Sequence, residues 1–277
     1  MALKAKSCNV SAIKFQHHLP DEEMLKEIPL STNMNEPLYD FLVKNALSIE
    51  EHSEVSKYCD EIGIEYMCTP FSYKASIELI EHTNIKRFKI GSGEMTDIPS
   101  LKKIADLGLP MIISTGMSTY DEIDNTYYSL VEKVEDLSLL YCVSEYPPVY
   151  EDMNLLNIQD MIKRYPDATI GHSDHTPDLY TAFAAVAIGA KIVEKHIILD
   201  KKMPGPDQSV SIDFDDLHQL VDGIRKIERA LGNEKKIHDE ERQIRDWAFR
   251  SVVSLSLIHI SEPTRLLSIS YAVFCLK

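Results

Sequence analysis

The stretch that decides the fold reads ATIGHSDHTPDLYTAFAAVAIGAKIVEKH, residues 168–196. A β-like run, a helix-length segment of small apolar residues and a second β-like run follow one another in it. Because side chains alternate along a strand, Ser173 and His175 share one face of the first run, and Glu194 and His196 share one face of the second. Two imidazoles and a carboxylate at adjacent strand ends form a plausible divalent-metal site. A pair of hydrogen-bonded histidines in a polar barrel mouth would produce the same pattern.

Composition limits the class of protein. The 277 residues suit one large α/β domain or a barrel with an appendage, and a hydrophobic content of 44% supports a full core. No apolar run reaches the roughly 18 residues of a membrane span, and the first residues lack the apolar core of a signal peptide. The net charge of −15 argues against a nucleic-acid surface, and five cysteines without a CxxC pair favour reduced thiols. We therefore expect a cytoplasmic protein without nucleic-acid or membrane partners.

The same strand-then-helix pattern recurs along the chain, which predicts a parallel sheet covered by helices. Polar residues gather at the end of every predicted strand, as expected for a TIM-type (β/α)8 barrel, whose catalytic residues meet at one face. An open doubly wound sheet would gather polar ends only around its switch point and is the weaker alternative. The seven predicted strands, one short of a closed barrel, cover 10–16, 65–71, 87–93, 110–116, 137–146, 168–175 and 191–199.

Lys14 and Lys89 lie within apolar strand-like runs, where a charge is costly unless it has a partner. One interpretation is a buried ion pair with Glu94 or Glu194. The other is that the lysines grip a phosphate or carboxylate, together with serine hydroxyls and backbone N–H groups of the GSG and STG turns. The helping hydroxyls would be those of Ser92 and Ser114. Neither a GxGxxG nor a GxxxxGK[ST] motif supports nucleotide binding.

Two proline-rich turns flank the same face. The turn Pro204-Gly205-Pro206-Asp207 either delivers Asp207 to the site or uses it as an ordinary turn residue. The sequence Tyr146-Pro147-Pro148 is either a stiff loop or a wall against substrate.

Eight motifs in this order and spacing closely resemble the sialic acid synthase family, which makes nonulosonic acids such as N-acetylneuraminic, legionaminic and pseudaminic acid. The resemblance spans about residues 2–254. The motifs are KFQ at 14–16, TPF at 69–71, FKIGSGE at 88–94, ISTGM at 113–117, SEYP at 144–147, GHSDHT at 171–176, EKH at 194–196 and PGPDQSVS at 204–211.

This resemblance implies a transferase that condenses phosphoenolpyruvate with the open-chain aldehyde of an N-acylated hexosamine and releases phosphate. His175 and His196 would hold Mn²⁺ or Mg²⁺, and Glu194 would handle a proton or support the site. Ser144 stands where the N-acetylneuraminate enzymes carry asparagine, so the sugar could be N-acetylmannosamine or a 2,4-diacetamido-trideoxyhexose. Phosphoenolpyruvate would contact Lys14, Lys89, Ser92, Ser114 and Ser173, and the sugar would contact Glu94, Ser144, Tyr146 and Asp207.

The two ends differ from the family pattern. The resemblance implies a first strand that carries an acidic residue. It also implies a C-terminal antifreeze-like domain, which would reach into the partner subunit of a domain-swapped homodimer. Neither sequence pattern is found. We interpret residues 1–254 as an N-terminally truncated barrel domain. Residues 255–277 read as the translation of a transposon-type sequencing adapter, against the alternative of a genuine apolar tail. Two competing functions are a non-catalytic fragment that binds the sugar or phosphoenolpyruvate, and another metal-dependent barrel enzyme that condenses phosphoenolpyruvate with an aldose phosphate.

We predict that the chain as printed is poorly soluble and inactive, because a barrel without its first strand exposes two sheet edges and lacks a carboxylate. Solubility and phosphate release from phosphoenolpyruvate would be measured on the purified 277-residue chain. Soluble protein with manganese-dependent phosphate release would contradict this prediction.

Overall fold

The computed structural model describes residues 1–27, 36–203, 205–252 and 274–275. The chain divides into two compact units, residues 1–231 and 232–277. The first unit holds a seven-stranded parallel sheet whose spatial order follows the sequence, and the sheet curls as an incomplete barrel. The prediction of seven parallel strands is therefore confirmed. The strands are β1 Ala12–His17, β2 Glu65–Pro70, β3 Phe88–Ile90, β4 Met111–Ser114, β5 Leu137–Cys142, β6 Thr169–Asp174 and β7 Val193–Lys195.

Helices separate the strands, as the sequence pattern predicts. In α4 the Ser48 hydroxyl accepts from the Glu51 backbone N–H while the Glu51 carboxylate accepts from the Ser48 N–H, and Gly63 ends the helix with a φ of 72°. The helices of the first unit are α1 Ala2–Ser7, α2 Pro20–Glu23, α3 Leu38–Asn45, α4 Ile49–Ile62, α5 Tyr73–His82, α6 Ile98–Ala105, α7 Tyr120–Leu130, α8 Asn157–Arg164, α9 Tyr180–Ala187 and α10 Phe214–Ala230.

The second unit contains α11, Asp239–Ala248, and two short strands that pair antiparallel, β8 Ser251–Val252 and β9 Phe274–Cys275. Most of the segment interpreted as an adapter translation, 255–273 and 276–277, lies outside the described residues. So do residues 28–35 of the long loop after β1, and Pro204. In the part of the chain that is described, no helix has the length and apolarity to cross a membrane.

In the first unit, apolar side chains pack between the sheet and the helices. Polar side chains lie on the inner face of the curled sheet, near the strand ends. Strand β4 is buried along its whole length, as expected for a central parallel strand covered on both faces. A cavity of about 850 Å³ lies between the edge strands β1 and β7 and is lined by side chains of both. It extends to Lys14, Glu194 and His196, so the functional residues predicted for β1 and β7 face one space.

A small polar network lies on the outer face of β1 and β2, under α4 and α5. The buried His52 bonds through Nδ1 to the hydroxyl of Tyr66 at 2.7 Å, and the His17 Nε2 contacts the Glu78 carboxylate at 3.0 Å. The two imidazoles meet edge to face with centroids 4.8 Å apart. Burial, followed by the neighbouring His17, lowers the pKa of His52 to about 4. The fold therefore holds His52 in its neutral form.

We predict that His52 makes unfolding depend on pH between 7 and 5. The folded pKa of about 4 lies below the ordinary value near 6.5, so the unfolded chain binds the additional proton and stability falls as pH drops through this window. In His52→Gln, the loss of unfolding free energy from pH 7 to pH 5 should shrink by about 2 kcal/mol, measured by urea unfolding. His82→Gln, at an exposed histidine, is the matched control. An unchanged pH dependence in His52→Gln would contradict the assignment.

Candidate active site at the carboxyl ends of the strands

The residues that the sequence singled out lie together where the parallel strands end. Contacts link β1 to β7 through Lys14 and Glu194, β3 to β4 through Lys89 and Ser114, and β6 to β7 through Ser173 and Glu194. Each of these side chains sits on the inward face of its strand, where every second residue points into the barrel. One mouth therefore collects groups from strands that are far apart in sequence.

Two lysines share one carboxylate at the centre of this mouth. Lys14 Nζ lies 3.2 Å from Glu194 Oε2, and Lys89 Nζ lies 3.6 Å from Glu194 Oε1. Ser173 donates its hydroxyl to Glu194 Oε1 at 2.8 Å, and Lys89 donates to the Ser114 hydroxyl at 2.7 Å. Of the two ion pairs considered from the sequence, the structure contains the one with Glu194. Both ammonium groups nevertheless contact the same carboxylate, so an anion bound beside Glu194 would lie close to both of them.

The electrostatics of the cluster leave an excess of positive charge. Burial alone would raise the pKa of Glu194, but Lys14 and Lys89 outweigh it and hold that pKa well below its usual range. Burial lowers the pKa of Lys89 to about 8, although Glu194 opposes the shift. At neutral pH the carboxylate is therefore ionised and Lys89 is mostly protonated. Two ammonium groups against one carboxylate give this three-residue cluster a formal charge of +1 in a chain of net charge −15, while the carboxylates of Glu94 and Asp207 lie elsewhere in the mouth.

Two imidazoles lie beside the lysines with their orientation fixed. His175 and His196 have ring centroids 5.3 Å apart. Nδ1 of His175 lies 2.8 Å from the Val143 carbonyl, which makes Nδ1 the protonated nitrogen. Nδ1 of His196 lies 3.3 Å from Asp207 Oδ2. Burial lowers the pKa of His175 to about 4, so this ring is neutral near pH 7.

This arrangement fits the requirements of a metal ligand pair. In each ring Nδ1 engages an oxygen acceptor, which makes Nε2 the atom that would coordinate a metal; at His175 the Tyr146 hydroxyl now donates to Nε2 and would have to turn away. The Tyr146 hydroxyl lies 3.2 Å from His175 Nε2, and its ring stacks on the imidazole at 4.3 Å. Across residues 1–27, 36–203 and 205–252, no group of three or more His, Cys, Asp or Glu side chains is arranged to hold a metal ion. The histidines would thus supply two ligands and leave further positions open.

A glycine allows two serine hydroxyls to converge next to the lysines. The Gly116 backbone N–H donates to the Ser92 hydroxyl at 3.0 Å. A Cβ at position 116 would lie 2.1 Å from the Ser144 hydroxyl and 2.9 Å from that of Ser92. Only a residue without a side chain lets these groups approach the backbone so closely. The hydroxyls and the N–H groups of this turn form a polar cradle suited to an anion.

Glu94 lies on another side of the mouth and has an incompletely bonded carboxylate. Its Oε2 is buried without a hydrogen-bond partner in the described part of the chain, and it packs over Gly91. Burial raises the pKa of Glu94. A buried acceptor without a donor is costly, and a substrate hydroxyl would satisfy it.

Sequence reasoning missed several residues that shape the site. His18 stacks on Phe71 at 4.0 Å and bonds through Nδ1 to Glu23 at 2.8 Å, next to Glu94. The run HHLPDEEM at residues 17–24, which is unusual for the resembled family, is the sequence signal for this group. Sequence reasoning also missed the buried ion pair between Asp174 and Lys195. Both residues point outward, because side chains alternate between the two faces along β6 and β7.

Comparisons with known proteins find relatives over most of the chain. The NeuB family profile matches residues 1–236. The N,N'-diacetyllegionaminic acid synthase of Legionella pneumophila is 37% identical over 262 residues, covering 90% of this chain and 72% of the relative. The pseudaminic acid synthase of Campylobacter jejuni is 33% identical over 261 residues, covering 87% and 73%. A crystal structure of N-acetylneuraminic acid synthetase from Leptospira borgpetersenii, in complex with citrate, superposes with a TM-score of 0.79 at 28% identity, covering 89% and 84%.

We predict that Gly116→Ala weakens anion binding without unfolding the chain. The added methyl would displace the Ser92 and Ser144 hydroxyls, and losing one hydrogen bond to a charged ligand should lower the affinity for phosphoenolpyruvate about tenfold. Isothermal calorimetry would measure the affinity and circular dichroism the fold. Gly232→Ala is the matched control, since a Cβ there meets nothing within 4 Å and the residue lies outside the cradle. Wild-type affinity in Gly116→Ala would contradict the cradle.

Proposed function

Because the chain belongs to the NeuB family, we propose that its mouth is the active site of a nonulosonic acid synthase that joins phosphoenolpyruvate to an N-acylated hexosamine. The observation that carries this proposal is the pair of lysines on Glu194 beside two oriented imidazoles. An enol phosphate needs a cationic cradle, and the aldehyde that it attacks needs an electrophilic partner within reach. In this proposal the two lysines supply the cationic cradle, and the two imidazoles in the same mouth would hold the electrophilic partner.

Lys14 and Lys89 bind the phosphate and carboxylate of phosphoenolpyruvate in this proposal. Lysine is well suited to this role as a compact cationic donor. The hydroxyls of Ser92, Ser114 and Ser173 and the Gly116 N–H add neutral donors around the anion. Ser173 and Lys89 already donate to or pair with Glu194. An arriving anion would therefore share the two ammonium groups with that carboxylate.

The reaction needs a carbon–carbon bond, a proton for the new hydroxyl, and water. The enol carbon attacks the aldehyde carbon, and the aldehyde oxygen takes up a proton. Water then adds to the resulting cationic carbon and loses a proton, and phosphate leaves as its C–O bond breaks. Glu194 is the candidate to hold a proton at its carboxylate, since it lies at the meeting point of Lys14, Lys89 and Ser173. Its low pKa keeps the carboxylate ionised at the start, so it can take up a proton only after a bound anion draws Lys14 and Lys89 away and lets that pKa rise.

His175 and His196 would hold a divalent metal, Mn²⁺ or Mg²⁺, through Nε2. When bound, such an ion supplies Lewis-acid polarisation of the aldehyde oxygen. The chain's own part is orientation: the Val143 carbonyl aims His175, and Asp207 aims His196. Neutral imidazoles are the ligating form, which agrees with the lowered pKa of His175.

The sugar would lie against Glu94, Tyr146 and Asp207, with Ser144 at the position that departs from the N-acetylneuraminate enzymes. The unpartnered Oε2 of Glu94 supports a contact with a sugar hydroxyl or amide. N-acetylmannosamine and a 2,4-diacetamido-trideoxyhexose are the two substrate classes in question. We place the reaction in the cytoplasm, where phosphoenolpyruvate is available.

We predict that two substitutions separate the anion and metal parts of the site. Lys89→Met should lower the affinity for phosphoenolpyruvate at least about tenfold, because one charge-assisted contact is lost, and should leave Mn²⁺ binding intact. His196→Ala should do the reverse, because one metal ligand is lost. Both affinities would be measured by calorimetry, which does not depend on turnover.

Lys86→Met, at an exposed lysine near β3, is the matched control and should leave both affinities unchanged. Equal losses of both ligands in Lys89→Met and in His196→Ala would contradict the division of roles. Ligand binding without phosphate release would instead favour a non-catalytic binding fragment.

A further inference from the structure

A buried ion pair lies directly behind the two imidazoles, on the outer face of the sheet. Strands β6 and β7 pair through three rungs, His172 with Val193, Ser173 with Glu194, and Asp174 with Lys195. The middle rung faces inward and carries the Ser173–Glu194 hydrogen bond. The last rung faces outward. His175 and His196 follow it immediately, so that rung is the last fixed point of the ladder before the two rings.

Asp174 is tied to four separate donors. Its Oδ1 accepts from the Thr176 backbone N–H at 2.9 Å and from the Thr176 hydroxyl at 2.8 Å. Its Oδ2 accepts from the Thr181 hydroxyl at 2.9 Å and pairs with Lys195 Nζ at 3.1 Å. Lys195 also donates to the Thr176 carbonyl. One carboxylate thus joins β6, β7, the loop after β6 and the first turn of α9.

The burial of this pair makes it a strong constraint. The side chain of Asp174 is 0% exposed and that of Lys195 is 3% exposed. Removing one partner would leave a buried charge without compensation, so the strands must hold the separation that keeps the pair intact. Strand β7 has three residues, Val193–Lys195, and gives few backbone hydrogen bonds of its own. The ion pair therefore adds a side-chain constraint on register to a ladder of only three residue pairs.

We infer that Asp174 and Lys195 are positioning residues, which hold His175 and His196 at the separation needed to share one metal ion. The role assigned to the rings rests on the proposed function. The positional role rests on the last rung of the β6–β7 ladder, and neither residue touches substrate or metal. Outer contacts of this kind typically change metal affinity by about 10–100-fold when they are removed.

The test compares Lys195→Met with the conservative Lys195→Arg and with Arg87→Met in the full chain. Arg87 pairs with Glu65 at the opposite, amino ends of β2 and β3, where Nε lies 2.6 Å from Oε1, so its loss removes a cross-strand ion pair far from the rings. The first readout needs no metal: the ring ¹H–¹³C resonances of His175 and His196, assigned with His175→Gln and His196→Gln. The second readout is Mn²⁺ affinity by calorimetry.

We expect both ring resonances to shift in Lys195→Met and to stay in Arg87→Met, with a loss of Mn²⁺ affinity of about tenfold or more in the former alone. Lys195→Arg should restore most of the affinity. If Lys195→Met does not fold, Thr181→Val removes one donor to Asp174 and should shift the same resonances by a smaller amount.

Unshifted ring resonances in a folded Lys195→Met, or Mn²⁺ affinity within twofold of wild type, would overturn the inference. Equal effects in Arg87→Met would overturn it too, because they would indicate general destabilisation. Failure of the wild-type chain to bind Mn²⁺ would remove the proposed metal site alone, since the ring resonances still test the positional role.

Discussion

The charge balance around Glu194 is the constraint on which the site depends. Two ammonium groups inside a barrel would repel each other and lose hydration, and one shared carboxylate makes their burial tolerable. The charges within this cluster do not cancel, because two cations meet one anion. A second anion therefore finds donors that are already in place. This gives an acidic chain a local site for an anionic substrate, and it explains why serines and a glycine surround the lysines.

The alternation of side chains in β6 and β7 divides the chemistry from its support. Inward positions carry Ser173, Glu194 and the two imidazoles, while outward positions carry Asp174 and Lys195. Both rows are polar, which is unusual for strands covered by helices. The outward row has fully paired charges, whereas the inward row keeps donors and imidazole nitrogens directed into the mouth. The Asp174–Lys195 pair thus lies on the face of the sheet opposite the mouth.

Much of the fold could be predicted because apolar strands and capped helices leave local signals. The strand ends could be predicted less well: the run 191–199 contains only three strand residues, because Ile198 donates its N–H to Ile212 instead of continuing the ladder. The run 87–93 shortens to Phe88–Ile90, because a turn over residues 92–96 follows the strand. Because the motifs lie at the strand ends, the sequence did predict that their polar residues share one face of the barrel. The sequence could not decide whether the lysines pair with Glu94 or Glu194, since both carboxylates were expected near the strand ends and only the folded arrangement shows which one reaches the lysines. It also gave no signal for Asp174 with Lys195, since a cross-strand pair depends on alignment between distant segments.

The most direct test of the account is the paramagnetic relaxation of the phosphorus nucleus of bound phosphoenolpyruvate by Mn²⁺. If the lysines and the imidazoles serve one mouth, Mn²⁺ bound to the protein should strongly shorten the ³¹P relaxation time of the bound ligand. The effect should disappear when either Lys89 or His196 is replaced. Binding of both ligands with relaxation no faster than for Mn²⁺ free in solution would place the anion and the metal in separate sites and contradict the account.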